Sequence, residues 1–149
     1  NFSIAVQLYL QHAVNLAAQL LHLDGWDVAI EELHHRGKAD APSGTARALA
    51  ERLQRALNPP REAVYPAPAD HRLPEHQFSI GVVRVGGEFG THRLLLDGPY
   101  DWLEITHRAK SRDGFAYGAV RAAEWLRGRT GFYLFQEVLT EILTHTEEG

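Results

Sequence analysis

The chain has 149 residues, of which 44% are hydrophobic and 23% charged, and its formal net charge is −4. This composition is typical of one globular domain and disfavours intrinsic disorder, while the negative charge disfavours nucleic acid as the main partner. No apolar run approaches the roughly 20 residues of a membrane span, and the absence of cysteine excludes disulfides and thiolate metal sites and fits a cytoplasmic protein.

The first half of the chain predicts two helices and one strand. Ser3 can cap a first helix that runs to about His22, because apolar residues recur there at helical spacing. The side chains of Asp27–His34 alternate with the period of two residues that is typical of a strand. A second helix begins near Ser43 and stops at Asn58-Pro59-Pro60. The proline-rich connection over residues 59–76 is expected to be irregular.

The second half predicts three strands and two helices. The strands are expected at Phe78–Val85, Thr91–Leu96 and Trp102–Ala109, as an antiparallel meander in which Gly86–Gly90 forms a hairpin turn. Periodic apolar positions mark helices at Phe115–Leu126 and Phe135–Ile142, and the tail over residues 144–149 is expected to fray. The predicted class is α+β: one mixed, largely antiparallel four-stranded sheet with helices packed on one face.

The predicted strands carry apolar residues on both alternating faces, as at Val82 and Val83 or at Leu94, Leu95 and Leu96. The chain's own helices can cover one face, and a second face that faced water would read polar. We therefore expect that face to be an interface. The alternative is that the proline-rich connection folds over it.

The stretch HHRGKADAPSGTA, from His34 to Ala46, collects groups that suit proton transfer and anion binding. The imidazole of His34 suits proton transfer near neutral pH, and Lys38 can offer a proton or a positive charge. A helix that begins near Ser43 presents backbone N–H groups, Gly44 lets a ligand approach them, and Thr45 adds a hydroxyl. Together these groups predict a site for a small acid.

Each of these residues also has a structural interpretation. A histidine at a strand end is often only partly buried, and Asp40-Ala-Pro-Ser is a common way to begin a helix. A zinc pair at His34 and His35 is disfavoured, because adjacent strand residues point apart and no third ligand is evident, so no metal is predicted. The density of these residue types within one strand-to-helix connection favours the functional interpretation.

The same loop closely resembles the signature of the bacterial 4-hydroxy-tetrahydrodipicolinate reductases, also called dihydrodipicolinate reductases. The matching residues are Glu32-Leu33-His34-His35, Lys38 and Asp40–Ala46, with further likeness at Asn1-Phe2-Ser3, Val83–Gly86, Gly90–His92, Glu104–Ala109, Ser111-Arg112, Phe115, Gly118 and Ala119. The sequence departs from the family at Tyr100-Asp101, where Gly-Glu is common, and in its proline-rich connection.

The resemblance implies the C-terminal domain, over residues 1–149, of a two-domain reductase whose N-terminal Rossmann domain binds NADPH or NADH. It implies His34 as the catalytic acid/base, Lys38 as the proton donor, and His35, Gly44 and Thr45 as substrate contacts. Asn1 and Phe2 match the end of the cofactor-binding stretch. The implied reaction passes a hydride to a cyclic dicarboxylate of lysine and diaminopimelate synthesis, in a homotetramer built through the sheet.

The chain lacks methionine even at position 1, so we expect it to be a piece of a longer protein that contains the cofactor domain. Two further interpretations stay open at this point. The chain by itself could act as an assembly module whose site is idle without that domain. It could also belong to a related dehydrogenase for another small acid, which the full HHxxKxDAPSGTA match disfavours.

Overall fold

A computed structural model describes residues 1–144 of the chain, and the predicted fraying tail lies outside these residues except for Thr144. Within them the elements are α1 Ile4–Leu20, β1 Asp27–His34, α2 Gly44–Ala56, β2 Glu62–Val64, β3 Gln77–Arg84, β4 Thr91–Asp97, β5 Trp102–Arg108, α3 Asp113–Trp125 and α4 Phe135–Thr144. The α+β class is as predicted, and each predicted helix and strand is present near its expected bounds.

The helix starts follow the predicted capping chemistry. The Ser3 hydroxyl accepts a hydrogen bond from the backbone N–H of Val6 at 3.3 Å. The Ser43 hydroxyl does the same for Ala46 at 3.3 Å, which fixes the first turn of α2. Side-chain oxygens at these positions satisfy N–H groups that have no partner inside the helix, and such caps typically contribute about 1 kcal/mol.

The sheet has five strands in the order β2-β3-β1-β4-β5. β1 pairs in parallel with β3 and antiparallel with β4, and β5 extends the antiparallel side. The predicted meander is therefore wrong, because β1 lies between β3 and β4. Gly86–Gly90 is a crossing connection and not a hairpin turn. It passes the end of β1, where the Val85 N–H donates to the carbonyl of His34 at 2.9 Å.

The proline-rich connection is not wholly irregular, contrary to the prediction. Residues Glu62–Val64 form β2, which pairs in parallel with the start of β3 at the sheet edge. An edge strand tolerates neighbouring prolines because only one side needs hydrogen bonds. Three residues are too few to show a strand period in the sequence, and β2 raises the strand count from the expected four to five.

The chain divides into two compact units, which are described separately. One unit combines residues 1–8 with the chain from Ser111 onward, and its buried centre is formed by Ala122, Val138 and Ile142. The other unit, Tyr9–Lys110, holds the sheet, α2 and the rest of α1. In the part of the chain that the structure describes, no helix is long and apolar enough to cross a bilayer.

In the sheet unit, alternate strand residues form a covered face and an open face. The covered face, which α2 contacts, buries apolar side chains that include Ile30, Phe78, Ile80, Leu94 and Leu96. The open face mixes exposed apolar groups such as Val83 with a charged row in which Arg93 pairs with Glu31 and Glu104. The open face therefore carries exposed apolar side chains, as expected, but paired charges lie among them.

Candidate functional site

Along β1 the side chains of the covered face change from apolar to polar. Val28 and Ile30 are buried in the apolar centre, but the next two positions in the same phase are Glu32 and His34. Register brings polar groups from the neighbouring strands to the same end, since Glu32 pairs with His92, His34 with Arg84, and His92 with His107. The candidate site lies where the apolar core ends.

Glu32 is the centre of the hydrogen bonds at this end. Its carboxylate is fully buried and accepts the backbone N–H of Ser43 at 3.0 Å and the Arg84 guanidinium at 3.0 Å. Burial raises the pKa of Glu32, but the hydrogen bonds from Ser43 and Arg84 more than offset it and hold the pKa below its ordinary value. Glu32 is therefore an anion at neutral pH.

His34 lies beside that anion and is 6% exposed. Its Nδ1 is 3.5 Å from a Glu32 carboxylate oxygen, and its ring meets that of His92 edge to face at 5.1 Å between centroids. Burial lowers the pKa of His34, and although Glu32 opposes this effect, the pKa stays below its ordinary value. At neutral pH His34 is consequently an uncharged imidazole that can accept a proton.

Lys38 and Asp40 stand in the loop that follows β1. The Lys38 ammonium is 2.5 Å from Asp40 Oδ1, and this hydrogen bond holds the pKa of the Asp40 carboxyl below its usual range. The positive charge of Lys38 is close enough to lower the pKa of His34 as well. Arg84 also donates to the backbone carbonyl of Asp40 at 2.8 Å, so one guanidinium ties this loop to Glu32.

The start of α2 lies next to the same carboxylate through its cap, Ser43. Gly44 is exposed, and a Cβ added there would meet nothing within 4 Å, so the backbone of the first turn is open to a ligand. Thr45 follows in the same turn and is half-buried, and His35 is half-buried at the beginning of the loop. A helix start with an open backbone is suited to an anion.

The part of the covered face that holds Glu32 and His34 is its polar end, and His92 and His107 extend this end toward α1. The Nε2 of His92 is 3.1 Å from the Ser43 hydroxyl, and the rings of His107 and Tyr9 continue the row at centroid separations of 6.4 and 5.9 Å. Burial lowers the pKa of His92 to about 4 and lowers that of His107. Burial also raises the pKa of Tyr9, so all three groups are kept neutral.

Asn1 and Phe2 belong to the other unit, where they have local structural contacts. The Asn1 side chain accepts the Ser3 N–H at 2.9 Å, and the Phe2 ring packs edge to face on Phe135 at 5.0 Å. A Cβ added to Gly118 would come within 1.7 Å of the Phe2 carbonyl oxygen, so only glycine allows this approach. The Phe2 side chain is about half exposed.

Glu32, His34 and His92 place potential ligand atoms within 4.8 Å of one another. The carboxylate already accepts hydrogen bonds from Ser43 and from the positively charged Arg84. A metal cation would have to displace these donors and would lie beside a fixed positive charge. We therefore interpret the cluster as a hydrogen-bonded network centred on Glu32.

Sequence reasoning cited Glu32, Arg84, His92 and His107 only as parts of segments that resemble the family, and it assigned none of them a role in the site. A signal for them was present: each is polar but stands in phase with apolar residues of its strand that are buried or, in β5, half-buried. Glu32 stands in the same way after Val28 and Ile30. Strand alternation puts such a residue on the core side. A charged or imidazole side chain on that side has to be paired within the fold.

Comparisons with known proteins concern the family and the fold of the chain. The family model described as dihydrodipicolinate reductase, C-terminus, matches residues 5–139. The 4-hydroxy-tetrahydrodipicolinate reductases of Neisseria meningitidis serogroup B (strain MC58) and Neisseria gonorrhoeae (strain NCCP11945) are each 43% identical to the chain over 143 residues. Each match covers 93% of this chain and 52% of the relative, so the chain spans about half the length of these relatives.

A solved structure has the same fold. It is a dipicolinate-bound dihydrodipicolinate reductase from Paenisporosarcina sp. TG-14, with a TM-score of 0.65 and 23% sequence identity. The match covers 94% of this chain and 48% of that protein. At this level of identity the likeness concerns the fold.

The buried histidines predict how stability depends on pH. The pKa of His92 falls from 6.5 to about 4 on folding, so the unfolded chain takes up the extra proton as the pH drops below 6.5. The contribution of the neutral, buried His92 to the free energy of unfolding is therefore complete above pH 6.5 and is lost as the pH falls toward 4. Between pH 7.5 and 5 the loss from His92 is about 2 kcal/mol. His34 and His107 act in the same direction, and Glu32 stays ionised throughout.

Urea unfolding at the two pH values measures this difference. In His92→Gln the fall in unfolding free energy between pH 7.5 and 5 should be smaller by about 2 kcal/mol. His71→Gln, at an exposed position, is the control and should keep the full pH dependence. If the unfolding free energy of His92→Gln fell between the two pH values as much as that of the unmodified chain, the lowered pKa of His92 in the folded chain would be contradicted.

Proposed function

Because the chain belongs to the family of dihydrodipicolinate reductase C-terminal domains, we propose that it is the substrate-binding and catalytic domain of such a reductase. The proposed reaction transfers a hydride from NADPH or NADH to 4-hydroxy-tetrahydrodipicolinate and gives tetrahydrodipicolinate, in diaminopimelate and lysine synthesis. The observation that carries the proposal is the polar end of the covered face, where His34, Lys38 and the start of α2 are joined through Glu32 and Arg84.

The chemistry explains why proton-transfer groups are needed. Replacing a hydroxyl group by hydride releases water, so each turnover consumes one proton along with the hydride. We assign the donation of this proton to the Lys38 ammonium, which is held by Asp40 at the exposed side of the site. His34, neutral and buried beside it, accepts and returns protons as general acid/base.

The start of α2 is the proposed carboxylate site. Gly44 offers open backbone next to a cap that Glu32 fixes, and the positive end of the helix dipole favours a negative charge there. His35 and Thr45 are the proposed further substrate contacts. Dipicolinate, the ligand named for the solved relative, is a planar dicarboxylate of the same kind and a suitable probe.

The nicotinamide cofactor is proposed to bind mainly to a separate Rossmann domain. Among residues 1–144, the glycine-rich segment 86–90 is followed by β4 and not by a helix, so it lacks the helix start that holds a dinucleotide phosphate. When bound, the cofactor supplies the hydride. Asn1 and Phe2 are the proposed contribution of this chain to its binding, and the half-exposed Phe2 ring is available for it.

A second proposed role is assembly through the open face of the sheet. Val83 and Trp102 are 42% and 61% exposed there, beside the paired charges of Glu31, Arg93 and Glu104. Exposed apolar groups interleaved with satisfied charges are suited to a specific protein interface. The proposed partner is the same face of other copies, in a closed homotetramer.

Loss of the His34 imidazole should abolish most activity. In the two-domain protein that carries this chain, His34→Gln should lower kcat by roughly 100-fold or more, with a smaller effect on KM. The control is His71→Gln, at an exposed histidine of the proline-rich connection. A near-normal kcat in the His34 variant would remove this residue from the mechanism.

Crowding the start of α2 should block the carboxylate. Calorimetry with pyridine-2,6-dicarboxylate should detect weak binding to the chain and none to Gly44→Val, because the added side chain fills the open approach. The matched control is Gly87→Val, since a Cβ at Gly87 also meets nothing within 4 Å. Equal binding to both variants would contradict the placement.

The chain should self-associate without a cofactor domain. Sedimentation at micromolar concentration should give a mass well above the 16.7 kDa of one copy, and Trp102→Glu should shift the distribution toward the monomer by placing an unpaired charge on the open face. A clean monomer of the unmodified chain would refute the assembly role and leave the catalytic one standing.

A further inference from the structure

Glu32 is a buried charged group that takes no part in the proposed transfers of hydride and protons. We propose that Glu32 is a positioning residue: it holds the proton of His34 on Nδ1, leaves Nε2 as the proton-exchanging atom, and fixes the start of α2 relative to that atom. This inference rests on the function proposed above and deepens it, because it states how the two halves of the site are aligned.

The first step of the argument is the shape of the carboxylate's surroundings. One oxygen of Glu32 accepts the Arg84 guanidinium, and the other accepts the Ser43 N–H at 3.0 Å and lies 3.5 Å from His34 Nδ1. A single oxygen therefore contacts both the cap of the proposed carboxylate site and the proposed acid/base. Rotating or removing Glu32 would release both at once.

The second step is the tautomer of His34. A neutral imidazole has one N–H and one lone pair. Nδ1 is buried and, among residues 1–144, has no hydrogen-bond partner apart from its approach to the Glu32 anion. A lone pair facing an anion would be repelled, whereas an N–H is attracted, so the proton belongs on Nδ1. The same logic orients catalytic histidines that are backed by a carboxylate.

The third step is the space at Nε2. A Cβ added to Gly90 would lie 2.9 Å from His34 Nε2, and the φ of Gly90 is +149°, a region that favours glycine. The absence of a side chain at residue 90 therefore keeps this nitrogen clear. Glu32 on one side of the ring and Gly90 on the other together define which nitrogen exchanges protons.

The groups that act on the charge of His34 come from each element around it. Glu32 and Asp40 raise its pKa, and burial together with the nearby positive charges lowers it. Neutralising Glu32 in place should lower the pKa of His34 further. If Glu32 were only a structural support, its loss would loosen the site, admit water and move the pKa upward toward 6.5. The acting groups are Glu32 on β1, Lys38 and Asp40 in the following loop, Arg84 on β3 and His92 on β4.

Nitrogen-detected NMR of histidine in the 149-residue chain tests this directly. The unmodified chain should show His34 with its proton on Nδ1. In Glu32→Gln, the Nε2–H form should become populated and the pKa of His34 should fall. The control Glu51→Gln changes an exposed glutamate of α2 that pairs with Arg55, and it should leave both readouts unchanged. A proton on Nε2 in the unmodified chain, or an upward pKa shift in Glu32→Gln, would overturn the proposal.

Kinetics in the two-domain protein provide the second test. Glu32→Gln should lower kcat at least about 10-fold, change KM less, and move the acid limb of the pH profile to lower pH. An unchanged kcat and profile would overturn the positioning role. If the unmodified two-domain protein showed no reductase activity, the proposed function would fail, while the NMR experiment would still decide the role of Glu32. Should Glu32→Gln not fold, the tautomer of the unmodified chain decides it alone.

Discussion

The sheet unit depends on the interactions that the buried carboxylate of Glu32 makes with its neighbours. The carboxylate joins β1 to β3 through Arg84, to the cap of α2 through Ser43, and it faces the imidazole of His34. A charge that is fully removed from water is tolerated only when it is paired and hydrogen-bonded, and removing one partner of such a pair typically costs about 3–5 kcal/mol. The positions of these elements relative to one another are therefore fixed by the need to satisfy one anion.

The same constraint sets the chemistry of the site. Because the polar end continues the buried face of the sheet, the histidines there lose hydration and remain neutral, as the low pKa of His92 illustrates. Lys38 and Gly44 lie just beyond this buried end and face solvent more openly. A neutral buried imidazole near a half-buried cation and an open helix start is an arrangement that can bind an anionic substrate and exchange protons with it.

The helices and the loop of the site could be predicted because their signals are local. Ser3 and Ser43 each mark a helix start through residues that lie within one turn of the cap. The candidate site residues between His34 and Thr45 lie in one continuous motif. The resemblance to the family was recognised mainly on the same contiguous residues. Strand pairing could not be predicted in this way. Adjacent strands in sequence are usually neighbours in space, and this prior favoured a meander that the structure does not have.

The sequence by itself determined the types of all the helices and strands except β2, the two helix caps and the loop that carries His34 and Lys38. Only the tertiary structure decided that β1 lies between β3 and β4, and this order decides the site. Arg84 and His92 are more than 45 residues from His34 in the chain, and each is an ordinary polar residue within its own strand. They contribute to the site because strand register aligns them with Glu32 and His34 on one buried face. Register is set by contacts between distant segments, and no local pattern of residues encodes it.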